Sequence, residues 1–163
     1  MKTLGFTGTR QGMTDIQREQ FIWLLKTKFK EPFEFVNGGC YGADEDSYVI
    51  VMVKTTNHIT IHPSNIQGTQ FDWEPGVRVG RVAVLDQKPP LERNWHIAGS
   101  DALAATPAGQ QVKRSGTWAT IRYASRQGRP IYIIYPDGQI MFSETGNLEM
   151  MVQERTVIDG GSR

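Results

Sequence analysis

The stretch from Lys88 to Tyr135 constrains the fold of this chain more than any other. It contains an apolar run, Ala102 to Ala105, a turn-rich loop, a helical stretch opened by Ser115-Gly116-Thr117, and a second apolar run, Ile131 to Tyr135. Strand, loop, helix and strand in that order predict two parallel strands, because a parallel pair needs a crossover where an antiparallel pair needs only a turn. A helix opening on small and hydroxylated residues leaves its first N–H groups bare, and those groups, together with the helix dipole, favour an anion. The same residues also cap helices that bind nothing, so this entrance alone carries both readings.

The chain before this stretch repeats the pattern. Leu4-Gly5-Phe6-Thr7 predicts a short strand, broken at once by Gly8-Thr9-Arg10. Thr14 and Gln17 have capping-box spacing, and Ile16, Leu24, Leu25 and Phe29 recur at helical intervals, so a helix is expected to run to about Lys30, before Glu31-Pro32. Phe33 to Val36 predicts a second strand, closed by Asn37-Gly38-Gly39-Cys40-Tyr41-Gly42-Ala43-Asp44. Two transitions from strand to glycine turn within 45 residues mark an alternating α/β fold with its functional loops at the strand ends.

Tyr48 to Val53 is β-branched and has strand propensity. Its acidic lead-in, Asp44-Glu45-Asp46-Ser47, and the need for a crossover before a strand at His58 to His62 predict a helix instead. Residues 63–76 have no apolar period. With the residues up to 87 they read as an inserted loop or lid, packed down by Phe71 and Trp73, and Val77 to Leu85 alternates like an extra edge strand. Pro136-Asp137-Gly138 followed by Ile140-Met141-Phe142 predicts a C-terminal hairpin, and residues 159–163 are expected to fray.

The 163 residues make one ordinary domain, and 18 Lys and Arg against 17 Asp and Glu leave no global field toward nucleic acid or membrane. The single cysteine excludes an internal disulfide and fits a reducing compartment. Met1 to Phe6 is too short an opening for a signal peptide or a membrane span, so the expectation is a soluble, cytoplasmic protein. His58 and His62 share a strand face but stand about 13 Å apart, so no metal is expected there.

Gly8-Thr9-Arg10, Gly38-Gly39 with Gly42-Ala43-Asp44, Arg93-Asn94, and Ser115-Gly116-Thr117 fall in one order across residues 4–138. This ordered set resembles the SLOG superfamily, the Rossmann-like group that contains DNA-processing protein A and the "lonely guy" nucleotide hydrolases. The resemblance implies a Rossmann-like parallel sheet with helices on both faces, a nucleotide pocket and self-association into a homo-oligomer. Arg93-Asn94 and a Ser-Gly-Thr loop without a preceding Pro-Gly-Gly are closest to the DNA-processing branch and to small stand-alone relatives. The hydrolase branch carries Gly-Thr-x-x-Glu, whereas Gly116-Thr117-Trp118-Ala119 leads here to Thr120. A threonine cannot carry negative charge at neutral pH, so the resemblance implies the family's pocket without its hydrolysis, unless Asp44 or Glu92 supplies a carboxylate.

Each candidate has a plain reading beside the functional one. Gly8, Gly38, Gly39 and Gly42 either permit tight turns or let amides reach a phosphate. Arg10 is either a phosphate clamp or a solvated arginine; Asp44 is a helix cap, a ribose ligand, or both. Cys40 is either a loop nucleophile or a small residue tolerated among glycines. Tyr41, Phe71 and Trp73 either stack on a base or pack. Arg122, Arg126 and Arg129 either track a nucleic-acid backbone or form a solvated helix face.

The expected ligand-binding set is therefore Gly8, Thr9, Arg10, Gly38, Gly39, Cys40, Gly42, Ala43, Asp44, Arg93, Asn94, Ser115, Gly116, Thr117 and Thr120. The leading expectation is sensing or sequestration of a nucleotide, of ADP-ribose, NAD-derived or cyclic type, with no other cofactor required. The alternatives are N-glycosidic hydrolysis of a nucleotide and single-stranded DNA binding.

Overall fold

The computed structural model describes residues 2–30 and 32–156. Its elements run β1 (Thr3–Gly8), α1 (Asp15–Thr27), β2 (Glu34–Asn37), α2 (Ala43–Lys54), β3 (Ile59–Ile61), α3 (Glu74–Arg78), β4 (Val82–Val84), α4 (Pro90–Ala98), β5 (Ala102–Thr106), α5 (Gly116–Arg126), β6 (Ile131–Ile134), β7 (Ile140–Ser143) and β8 (Val152–Arg155). One eight-stranded sheet has the order β4-β3-β2-β1-β5-β6-β7-β8. Its first six strands are parallel, while β7 and β8 are antiparallel to their neighbours. The architecture is a mixed α/β, Rossmann-like sheet.

Alternation along the strands divides the core in two. Leu4 and Phe6 of β1 face α1 and α2, where Phe6, Phe21 and Phe35 meet with ring centroids 5.4–6.1 Å apart. Leu103 and Ala105 of β5 face α4 and α5, where they pack with Ile97, Trp118, Ile121 and Ala124. Helices therefore cover both faces. The small side chains of β5, every one buried, let those layers close over the centre of the sheet.

Local chemistry explains why the elements begin where they do. The Thr14 hydroxyl accepts from the Gln17 amide at 3.1 Å, and the Gln17 side chain accepts from the Thr14 amide at 2.9 Å, completing the capping box. Gln17 also donates to the carbonyls of Pro107 and Ile134, so the start of α1 is tied to the ends of β5 and β6. The acidic run 44–46 forms the first turn of α2, where a helix dipole stabilises it, so tertiary need prevails over strand propensity at Tyr48 to Val53.

Four features add to the expectation or depart from it. Val77 belongs to the short helix α3, and only Val82–Val84 of the alternating run pairs, at the sheet edge. Arg93 and Asn94 lie on α4, which Pro89-Pro90 initiates with the fixed φ suited to a helix start. β8 adds a strand beyond the hairpin. The segment read as a loop or lid packed down by Phe71 and Trp73 is also tied by backbone: the Tyr41 amide donates to the Thr69 carbonyl and the Phe71 amide to the Gly39 carbonyl, both at 3.0 Å, while the Phe71 side chain is buried and Trp73 packs on the core. The tail expected to fray, 159–163, lies outside the described residues. Among the described residues no helix is long and apolar enough to cross a membrane.

Candidate functional site: a crevice at the strand ends

The chain leaves β1 for α1 and β2 on one side, and β5 lies on the other side of β1. Strand order reverses there, and in an open α/β sheet the crevice outside such a point is where ligands bind. A cavity of about 250 Å³ occupies it. Phe6, Thr7, Gly8, Thr9 and Arg10 line it from β1 and the following turn; Gly38, Cys40 and Asp44 line it from the turn after β2. Pro90, Arg93, Asn94 and Ile97 contribute from α4, and Ser115, Gly116 and Thr117 from the start of α5.

The first turn is shaped by its neighbours. Thr9 donates its amide to the Thr106 carbonyl at 3.2 Å, and its own carbonyl accepts from Ala43 at 2.9 Å and Gly12 at 3.1 Å. Asp46 accepts from the Met13 amide at 2.8 Å and pairs with Arg18 at 3.2 Å, pinning the turn to α2. Gly42 enters α2 with φ +89°, and a Cβ there would overlap the backbone of Arg10. The Arg10 side chain is exposed and makes no hydrogen bond or ion pair among the described residues.

The second turn corrects the expectation that amides of residues 38–43 receive a phosphate. The Gly39 amide donates to Asn37 Oδ1 at 2.9 Å, and the Cys40 amide to Asp44 Oδ2 at 3.2 Å. Tyr41 is spent on Thr69. The protein's own carboxylate occupies the seat that the glycine turn makes. Asn37, fully buried, holds this arrangement by donating to the Asp44 carbonyl and to Ser47 Oγ. Burial pushes the Asp44 carboxyl up to about 6, against the opposing pull of the Arg93 charge, the Cys40 and Gly38 amides and Arg10.

Arg93 is buried and works as a structural clamp. Its Nη1 donates to the carbonyls of Gly38 at 2.8 Å and His62 at 3.4 Å, its Nη2 lies 3.4 Å from Cys40 Sγ, and its Nε donates to Asn94 Oδ1 at 2.7 Å. A Cβ on Gly38 would overlap this guanidinium, so the glycine is needed for close approach. Because Arg93 takes Asn94 Oδ1, the side-chain amide leaves its Nδ2 donors for the cavity. The His62 ring stacks on His96 with centroids 6.1 Å apart, and burial, His96, Arg93 and Lys88 push its pKa down to about 4. It is neutral at pH 7.

At the third turn, Ser115 Oγ accepts from the Trp118 amide at 3.2 Å, the N-cap bond. The amides of Gly116 and Thr117 have no acceptor among the described residues and belong to the bare first turn of a helix. Thr7, Asn94 and Thr117 are each at least nine-tenths buried, line the cavity, and leave the Thr7 and Thr117 hydroxyls and Asn94 Nδ2 without partners among the described residues. The crevice thus presents mostly donors, with the Asp44 carboxyl as the titrating group in its wall.

Eleven of the fifteen expected residues meet in this one cavity, and four do not. Gly39 packs against Trp73 and Ile61, Gly42 against Arg10, and Ala43 beneath Gly8. Thr120 is fully buried and donates to the Gly116 carbonyl at 2.9 Å, so its hydroxyl serves α5 rather than a ligand. Glu92, the second fallback carboxylate, is exposed and faces Lys88 at 4.0 Å, outside the cavity. None of residues 63–87 lines it.

The aromatic candidates Tyr41, Phe71 and Trp73 are also outside the lining; Phe71 packs at 4.8 Å from Tyr48 and edge-on to Trp73. Arg122 donates to the carbonyls of Val112 and Lys113, and Arg126 lies over the Tyr123 ring, so these two arginines form no continuous track. Phe6, Thr7, Pro90 and Ile97 are lining residues that the motifs did not name. Thr7 was legible from strand alternation, which turns it away from Phe6 and Gly8 toward α4 and α5. No protein-family model matches the chain, and no curated protein matches it.

Proposed function

We propose that this protein binds a nucleotide in the crevice between β1 and β5 and holds it without cleaving it. The observation that carries this reading is the convergence of the bare first turn of α5, the unpartnered Thr7, Asn94 and Thr117 side chains and the free Arg10 on one cavity. A phosphate on the Gly116 and Thr117 amides would be met by the helix dipole, with Arg10 as counter-charge. The hydroxyl and amide donors around it suit a ribose and a base edge. The cavity, of about 250 Å³, lies just below the usual size of ligand pockets, about 300–1,000 Å³, so part of a larger ligand such as ADP-ribose would pass the rim. The resemblance to SLOG domains supports the same ligand class.

The test is calorimetric titration of the whole chain with nucleoside phosphates and ADP-ribose, alongside mass spectrometry of small molecules released on heat denaturation. Micromolar binding or a co-purifying nucleotide is expected; no heat with any of them and no released nucleotide would overturn the reading.

A second reading has one observation in its favour. Asp44 is the carboxylate that lines the cavity among the described residues, and a raised pKa in a cleft is common for groups that act on substrate. In N-glycosidic hydrolysis, the bond from the anomeric carbon to the base breaks and the base leaves with the electron pair; water forms the new C–O bond and its proton ends on the departed base, while the ionised Asp44 would stabilise the cationic sugar between the two events. Release of free base that disappears in Asp44→Asn would establish it, and intact nucleotide after prolonged incubation would remove it.

A further inference from the structure

We infer that the site is built for a ligand with at least two linked phosphates, the second lying outside the cavity against Lys113 and Arg114. This rests on the nucleotide reading above and goes beyond it. Inside, the first turn of α5 supplies the Gly116 and Thr117 amides, and the Thr117 and Asn94 side chains, both more than nine-tenths buried, aim unpartnered polar atoms into the same space. Those groups, with Arg10, suffice for one phosphate. The loop that leads into the helix, residues 107–115, carries two further cations and no acidic residue.

Lys113 and Arg114 are both exposed and immediately precede Ser115, so their Cα atoms lie within about 8 Å of its own. They make no ion pair among the described residues. The loop is held in shape from below: Arg122 donates to the Val112 carbonyl at 3.2 Å and the Lys113 carbonyl at 3.1 Å. One arginine of α5 is thus spent on fixing the backbone that presents Lys113 and Arg114. No acidic residue lies in the first turn of α5 to balance them. On the far wall, the carboxylate Asp44 already has the Arg93 charge and two amides beside it. The rim therefore keeps an excess of positive charge just where a chain leaving the α5 amides would emerge. A second phosphate linked to one held on the α5 amides reaches that rim and meets this charge.

The test uses the whole chain at low salt with EDTA, titrated with the mono- and diphosphates of adenosine, guanosine, cytidine and uridine, and with ADP-ribose. For the preferred base the diphosphate is expected to bind about tenfold tighter than the monophosphate, the scale of one added charge-assisted hydrogen bond. In the double variant Lys113→Ala/Arg114→Ala the two are expected to bind equally. Arg114→Glu, checked for fold by circular dichroism, is expected to weaken the diphosphate more than the monophosphate. Equal binding of mono- and diphosphate by the unaltered protein, or an increment that survives in the double variant, overturns this inference and leaves nucleotide binding standing. Binding of none of the nine compounds overturns both.

Discussion

Asp44 decides more than any other single residue, because three roles meet in its side chain. It caps the turn after β2, it faces the Arg93 charge, and it lines the cavity. Its pKa rises on folding from the ordinary 3.8 to about 6, so the ionised form is the costly one in the folded state. The associated stability is fully present below pH 3.8 and is lost as pH climbs through 6, a swing of about 3 kcal/mol. Asp44→Asn removes that titration while keeping a carbonyl oxygen for the Cys40 amide. Its stability relative to the unaltered protein is expected to rise by up to about 3 kcal/mol between pH 4 and 7.5, as read by urea unfolding. Parallel pH profiles for the two proteins would show that burial does not dominate this carboxyl. Gly42 belongs to the same scale. At φ +89° with the Arg10 backbone against it, Gly42→Ala is expected to cost roughly 1–3 kcal/mol or more, measured in the same way.

Among the elements, α5 makes the sharpest separation between folding and binding. Ser115→Ala loses the bond to the Trp118 amide and is expected to cost about 1 kcal/mol. Ser115→Asp keeps a cap, and its charge suits the helix dipole, so stability is expected to hold; but that charge stands where the ligand's phosphate should, and affinity is expected to fall at least about tenfold. Paired thermal unfolding and titration of the two variants would check this, and undiminished affinity in Ser115→Asp would move the phosphate elsewhere. The same helix shows what sequence can reveal. Its start was legible because caps and bare amides are local, as was the capping box at Thr14. Alternation of strand and glycine turn likewise gave the parallel core of the sheet and the turns that bound the cavity. The roles within the second turn were not legible. Whether glycine amides face a ligand or the chain's own carboxylate depends on Asn37, Asp44 and Arg93, the last 55 residues from Gly38, meeting in space. Phe71 and Trp73 announce that the segment 63–76 packs down, but the backbone bonds of Thr69 and Phe71 stayed hidden for the same reason: their partners are Tyr41 and Gly39, and no pattern within the segment records them. β8 stayed hidden because Val152–Arg155 is short and mostly polar, and pairs only at the sheet edge.

At the scale of the whole molecule, the crevice draws its lining from both helical layers, at the end of the sheet where Arg93 of α4 reaches across to the turn before α2. Phe6 and Gly8 of β1 belong to the side of α1 and α2, Thr7 to the side of α4 and α5, and the cavity touches all three residues. A ligand there adds to the links that Arg93 already makes from α4 to the turn before α2, so its binding energy should appear as global stability and as local protection. At a hundredfold excess over Kd, linkage gives about 2.7 kcal/mol, which for a chain of this size raises Tm by roughly 5–10 °C. Amide exchange is expected to slow at 8–14, 38–44 and 107–117, on both layers. The opposite end of the sheet, at the groove lined by Lys26, Lys30 and Lys54, is expected to show only the global effect. The pattern matters more than the size of the shift, because any site that binds only the folded chain raises Tm. Protection on one layer alone would mean that the ligand rests on a single helix end, and the crevice would lose its place as the site.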